Sequence, residues 1–212
     1  MKTVLCYGDS LTFGHDAAGQ DRHAHEDRWP MVLQKALGEG VHVLPEALGG
    51  RTTAFDDHTA AADRNGARLL PTLLGSHTPL DLVIIMLGTN DLKPWTGGGA
   101  FAARNGMKRL IEIVRSHPYP FDHTAPDILV VSPPHAVPTA NDTGMGFLQG
   151  LVEQSQMLST FYSELADELG CGFYDAASVA SASPVDGVHL DAENTRAIGR
   201  GIEPIVRMML GH

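Results

Sequence analysis

Five short runs of strand-forming residues alternate along this chain with longer stretches of helical spacing, and that alternation restricts the fold to a parallel sheet with helices on both faces. The runs cover residues 4–7, 41–45, 82–87, 128–132 and 172–174. Leu82-Val83-Ile84-Ile85-Met86-Leu87 and Ile128-Leu129-Val130-Val131-Ser132 are nearly unbroken in apolar character. That is the pattern of central strands buried on both sides. Trp29, Val32, Leu33, Ala36 and Leu37 recur at helical spacing, and Gly38 follows as a stop. Further amphipathic stretches cover residues 62–74, 100–115, 147–169 and 192–210. Pro71 is expected to bend or split the first of these.

A chain of 212 residues, 43% hydrophobic and 19% charged, is long enough for one sizeable core and is read as a single domain over residues 1–212. Its formal charge of -10 argues against nucleic acid and anionic lipid surfaces as partners. Strand-like residues begin at once, without the apolar core of a leader, so a cytoplasmic location is expected. The densest apolar run is too short for a membrane span, which needs about 20 residues. Cys6 and Cys171 sit in apolar strand-like contexts and read as a reduced, buried pair, not as a disulfide or zinc site. Gly97-Gly98-Gly99 reads as a mobile loop.

Residues 15–27 and 133–146 exceed ordinary loop lengths. Both follow strands, or a strand and its turn, which puts them at the carboxyl edge of the sheet, where open α/β folds bind ligands. They are candidate rims of a pocket.

The chemistry begins at Gly8-Asp9-Ser10-Leu11-Thr12, directly after the first strand. A serine at a strand-to-helix turn can act as nucleophile, with helix-start N–H groups stabilising an oxyanion. The same turn can equally be a helix cap, or a phosphate cradle in a flavodoxin-like binding module. Near the other end lies Asp186-Gly187-Val188-His189. A tight turn there brings a carboxylate to one imidazole nitrogen and leaves the other for the serine. Taken alone, the four residues also fit a surface loop before the last helix.

Two more strand ends offer donors. Gly49-Gly50-Arg51-Thr52-Thr53 can bring the Gly50 N–H close to a substrate, and Gly88-Thr89-Asn90-Asp91 presents the Asn90 amide. Each is explained separately by a turn or cap. Together they converge at the carboxyl ends of the first three strands. Asp9 and Asp91 are expected to be helix caps.

On these four motifs the chain resembles the GDSL or SGNH hydrolases. Ser10 matches the family nucleophile, Gly50 and Asn90 its oxyanion donors alongside Ser10, His189 its base and Asp186 the partner of that base. The resemblance implies a three-layer α/β/α sandwich with a five-stranded parallel, flavodoxin-like sheet, and esterase activity without a metal or other cofactor. The stretches Gly-Asp-Ser-Leu-Thr-Phe-Gly and Val-Val-Ser-Pro-Pro are similar to those of the bacterial arylesterase and acyltransferase branch. That branch implies short aryl or alkyl esters as small-molecule substrates, acyl transfer to alcohols or hydrogen peroxide, and a homo-oligomer up to an octamer. Gly49 and His15 stand where relatives in that branch carry serine and tryptophan, at positions that bear on acyl and alcohol preference.

Other readings remain open at this point. The triad also suits acetylated sugars or thioesters. The α/β-hydrolase fold is disfavoured because its Gly-x-Ser-x-Gly pentapeptide is missing from the chain. Thr12, Lys93, Trp95 and Val188 flank the catalytic positions and are candidate pocket residues. His23 and His25, with Asp21, Glu26 and Asp27, could be imagined as metal ligands, but a solvated loop or subunit contact is the expectation, because no helix face or cysteine set fixes them.

Overall fold

The computed structural model describes residues 1–19, 21–139 and 150–211. Its sheet is five-stranded and parallel: β1 (Lys2–Gly8), β2 (Val41–Ala47), β3 (Leu82–Met86), β4 (Asp127–Ser132) and β5 (Gly172–Asp175), in the order β2-β1-β3-β4-β5. This is the flavodoxin-like order, with its switch point between β1 and β3. The register pairs Val4 with Val43 and with Leu82, and Ile84 with Leu129.

Among the described residues six α-helices accompany it: α1 (Ser10–Phe13), α2 (Trp29–Leu37), α3 (Gly66–His77), α4 (Ala100–Ser116), α5 (Leu151–Leu169) and α6 (Ala192–Leu210). Alternate strand residues separate two cores. Leu5, Tyr7, Val83, Ile85 and Val130 pack against Leu74 of α3, Met107 and Ile111 of α4 and Tyr162 of α5. Val4, Cys6, Ile84, Met86 and Leu129 pack against Trp29 and Leu33 of α2 and Ile198, Ile202 and Val206 of α6. Since period-two side chains point to opposite faces, a continuous apolar strand feeds both layers. Each fully buried Leu or Ile contributes about 1.5–3 kcal/mol.

Sequence periodicity located α2 and α6 to the residue and the other long helices within a few positions. Pro71 lies inside α3 without splitting it. The beginning of the 147–169 stretch falls outside the described residues, and α5 is described from Leu151. Gly97-Gly98-Gly99 is a hydrogen-bonded turn: the Gly98 N–H donates to Lys93 O at 3.1 Å and the Gly99 N–H to Asp91 O at 3.3 Å. Both cysteines are free, but only Cys6 is buried; Cys171 is half-exposed. Among the described residues no helix is long and apolar enough to cross a membrane.

Candidate active site

Ser10 opens α1, immediately beyond β1. The turn is held from within by Asp9, whose Oδ1 accepts the Leu11 N–H at 3.0 Å. With four residues, α1 is a single turn, so its contribution is local N–H groups and not a long helix dipole.

His189 arrives from the far end of the chain. Its Nε2 lies 2.9 Å from Ser10 Oγ across a separation of 179 positions. The turn before it is closed by Asp186: Oδ1 accepts the N–H groups of Val188 at 3.0 Å and His189 at 2.9 Å, while Oδ2 meets His189 Nδ1 at 2.6 Å. One carboxylate thus shapes the backbone and aims the ring.

The electrostatics follow from burial and neighbours. Burial presses the Asp186 carboxyl upward, but the N–H groups and the His189 ring outweigh it and hold its pKa below the ordinary carboxylate value. It is ionised at neutral pH. Burial is the largest influence on His189 and lowers its pKa; Asp186 opposes this, and the charges of His15 and Lys93 add to the lowering. A neutral imidazole facing a serine hydroxyl is a general base in position.

The neighbouring strand ends complete the crevice. Gly50 adopts φ 82°, a conformation that costs glycine little and other residues more. Among the described residues its N–H meets no acceptor. Arg51 fixes that turn: its Nη1 donates to Gly8 O at 2.9 Å and Glu46 O at 2.5 Å, with the guanidinium 4.2 Å from the Tyr7 ring centre. Asn90 follows β3 and is buried, its Nδ2 donating to Asp9 Oδ2 and Arg51 O, each at 3.2 Å. Ser10, Gly50 and Asn90 therefore converge as three segments on one spot.

Two carboxyls lie beneath this surface. Burial raises Asp9 to about 6, against the Leu11 N–H, Lys93, Arg51 and Asn90, which lower it. Asp91 rises to about 7, burial again leading and Thr53 opposing. Asp9 caps α1, as expected. Asp91 does not cap a helix: it accepts the Thr53 N–H at 3.1 Å and the Thr53 hydroxyl, joining the loop after β3 to the loop after β2.

The flanking residues divide. Lys93 is half-buried and its charge acts on Asp57, Asp9 and His189. Trp95 is 45% exposed, hydrogen-bonds Asp57 and lies 5.9 Å from the Lys93 ammonium. Lys93 is thus within electrostatic reach of His189, and Trp95 stands beside Lys93. Thr12 does not line a pocket: it is buried beneath the turn, where its Oγ1 accepts the Trp29 indole N–H at 3.2 Å. Val188 turns its side chain onto the core shared by α3, α4 and α5.

The loop after α1 packs against the histidine. The His15 ring lies 4.2 Å from that of His189, tilted by 53°, and the His15 backbone N–H donates to Ser10 O at 3.0 Å. The sequence shows His15 only as a loop residue, and nothing in its spacing signals this contact. His23 is buried, with Nε2 3.0 Å from Leu190 O, and Asp27 pairs with Arg196 at 2.7 Å. Asp21, His25 and Glu26 are solvated, as expected of this loop, while His23 and Asp27 turn inward and fasten it to Leu190 and α6 on either side of the segment that follows His189. On the other rim, the Val137 N–H donates to Gly187 O at 2.9 Å and the Thr139 hydroxyl to Val185 O at 3.0 Å. Residues 140–146 of that rim lie outside the described residues. Among the described residues, His15, Asp186 and His189 offer ligand atoms within 4.8 Å of one another. A metal taken up by His189 would displace either Ser10 or Asp186, since both ring nitrogens are engaged.

A serine, a neutral imidazole and an ionised carboxylate in hydrogen-bonded sequence, at the carboxyl edge of a flavodoxin-like sheet, have the geometry that serine hydrolases use. The chain belongs to the GDSL-like lipase/acylhydrolase family, whose model matches residues 6–196. It is accordingly a carboxylic ester hydrolase. The fold is shared at full length with a carbohydrate acetylesterase family member from Sinorhizobium meliloti, 62% identical, with a TM-score of 0.97 and 100% of both chains covered. Another carbohydrate acetylesterase from the same organism is 38% identical, with a TM-score of 0.93 over 99% of this chain and 100% of the other. An aryl esterase of M. smegmatis is 38% identical, with a TM-score of 0.90 at the same coverage. No curated protein matches the chain by sequence.

Proposed function

We propose that the protein cleaves short aryl or alkyl esters through an acyl-enzyme on Ser10. The observation that carries this reading is the relay of 2.9 Å from Ser10 Oγ to His189 Nε2 and 2.6 Å from His189 Nδ1 to Asp186. His189 takes the hydroxyl proton as Oγ bonds to the carbonyl carbon. The carbonyl electrons move onto oxygen, which the N–H groups of Ser10 and Gly50 and the amide of Asn90 receive. On collapse the alcohol leaves with the proton from His189. Water, deprotonated in turn by His189, releases the acid and restores Ser10. An alcohol or hydrogen peroxide in place of water gives acyl transfer by the same steps.

The test is labelling by an organophosphate, with the modified residue located by mass spectrometry. Modification of Ser10, and loss of p-nitrophenyl acetate hydrolysis in Ser10→Ala, support the reading. An unlabelled Ser10 together with saturable flavin or nucleotide binding would point to a binding module instead.

A second reading differs in substrate only. Two similar structures carry the description carbohydrate acetylesterase, which favours an acetylated sugar. A higher kcat/KM on acetylated xylose than on p-nitrophenyl acetate would select it. Homo-oligomeric assembly, up to an octamer, rests on the resemblance to the arylesterase branch and is read by light scattering.

A further inference from the structure

The loop between β2 and α3 carries charges that are unevenly satisfied. Arg68 is held on both sides, by Asp63 at 2.7 Å and Asp56 at 2.8 Å. Asp57 accepts the Thr59 N–H at 3.0 Å and faces Lys93 and Trp95. Arg64 turns the other way. Its Nε and Cδ lie 3.4 and 3.5 Å from the point where a Cβ on Gly50 would stand, so the side chain runs along the backbone of the Gly50 turn. Its own backbone is fixed, because Arg64 O accepts the Thr52 N–H at 2.9 Å. Among the described residues its guanidinium enters no ion pair or hydrogen bond. On its outer side Arg64 borders an open cavity of about 340 Å³, shared with Asp56, Asp57 and His58.

Lys93 is a second cation beside the same crevice. It and Arg64 repel one another, and its charge reaches His189. Two positive groups thus flank the crevice, Arg64 against the Gly50 turn and Lys93 within charge range of His189, the second partly answered by Asp57 and Asp9 and the first in no ion pair among the described residues. An arginine fork in that position suits a planar carboxylate, which it can bind through two parallel N–H donors. A carboxylate placed there would also relieve the repulsion between the two cations.

We propose that Arg64, assisted by Lys93, binds a carboxylate carried by the substrate, so that anionic esters are preferred over neutral esters of similar size. The inference rests on the esterase reading and narrows its substrate class. The carboxylate can belong to the acyl part, as in the half-ester of a dicarboxylic acid, or to the alcohol part, as in an acylated hydroxy acid.

Two substrate pairs separate these cases. The acyl pair is the p-nitrophenyl half-ester of glutaric acid against p-nitrophenyl pentanoate. The alcohol pair is p-acetoxybenzoate against its methyl ester. The expected result is a kcat/KM preference of about tenfold for the anion in one pair, the size of one charge-assisted contact. Arg64→Gln should abolish that preference and leave the neutral partner unchanged, while Arg64→Lys should restore part of it. Raising the ionic strength should erode it in the wild type. The pair that responds identifies which side of the ester carries the carboxylate. The inference is overturned if the anion-to-neutral ratio is the same in wild type and Arg64→Gln for both pairs, or if Arg64→Gln lowers both partners equally. Should neutral esters be cleaved in a Ser10-dependent way without any Arg64 effect, this inference fails and the esterase reading stands. Should the wild type cleave none of the four, both fall.

Discussion

Asn90 donates from Nδ2 to Asp9 Oδ2 at 3.2 Å, tying the amide after β3 to the residue immediately before Ser10. The amide is thereby held in place before a substrate arrives, and under the proposed mechanism an oxyanion shares donors that Asp9 and Arg51 O already use.

Replacing Asn90 by Ala should therefore have two effects. Hydrolysis of p-nitrophenyl acetate should fall on the order of a hundredfold, the usual consequence of losing one oxyanion donor. Stability should fall by about 1–3 kcal/mol, because a buried Asp9 oxygen loses its partner. Steady-state rates and a denaturation curve measure these separately. Full turnover with reduced stability would leave Asn90 a structural role alone.

The pH profile should report His189. Its pKa is pushed below the reference value of 6.5, chiefly by burial. The imidazole is therefore more than half neutral at pH 6.5, and the acidic fall in kcat/KM should be centred below that value. Asp186→Asn should reduce kcat by up to about 10⁴-fold through loss of the ring's orientation. A limb centred above 6.5 would mean that another group titrates.

Asp91 predicts the opposite slope in stability. Its folded value of about 7 stands above the ordinary aspartate value of 3.8. The stabilisation linked to this proton is complete below about 4 and is lost as pH rises toward 7. Asp9, raised to about 6, acts in the same direction. Asp91→Asn, which keeps an acceptor for Thr53, should flatten the loss of stability between those limits. Urea midpoints across the range would show it; parallel curves for the two proteins would refute it.

Gly106 offers a test away from the reacting atoms. A Cβ there would stand 1.8 Å from Thr53 Oγ1 and 2.7 Å from Thr53 Cβ, so α4 approaches the loop after β2 at this point. Gly106→Ala should force Thr53 off Asp91 and cost about 1–3 kcal/mol, as overpacking does. Activity should decline with it, because the same loop carries Gly50. A variant with unaltered melting and turnover would show that Thr53 moves freely.

How much of this was legible in the sequence follows from how local each determinant is. The strands were visible because Leu82 to Met86 are buried on both faces, which removes polar residues from the run. The ends of β4 and β5 were not, since Asp127 and Asp175 pair in the sheet while facing water in part. The Ser10 turn was legible because a strand–turn–helix junction needs particular residues. Thr12 was misplaced because its hydroxyl is claimed by Trp29, 17 positions on, and Asp91 because its partner Thr53 is 38 positions back. Contacts across loops leave no periodic trace.

The docking of α6 on α2 has a mechanical consequence. Thr195 Oγ1 accepts the Trp29 N–H at 3.2 Å, and Arg207 reaches Ala36 O at 2.6 Å, so the segment bearing His189 is seated by the element that follows it. Loosening that docking far from the crevice leaves the Ser10 turn standing while the imbalance falls on the imidazole, whose distance to the hydroxyl is set by a helix that touches neither.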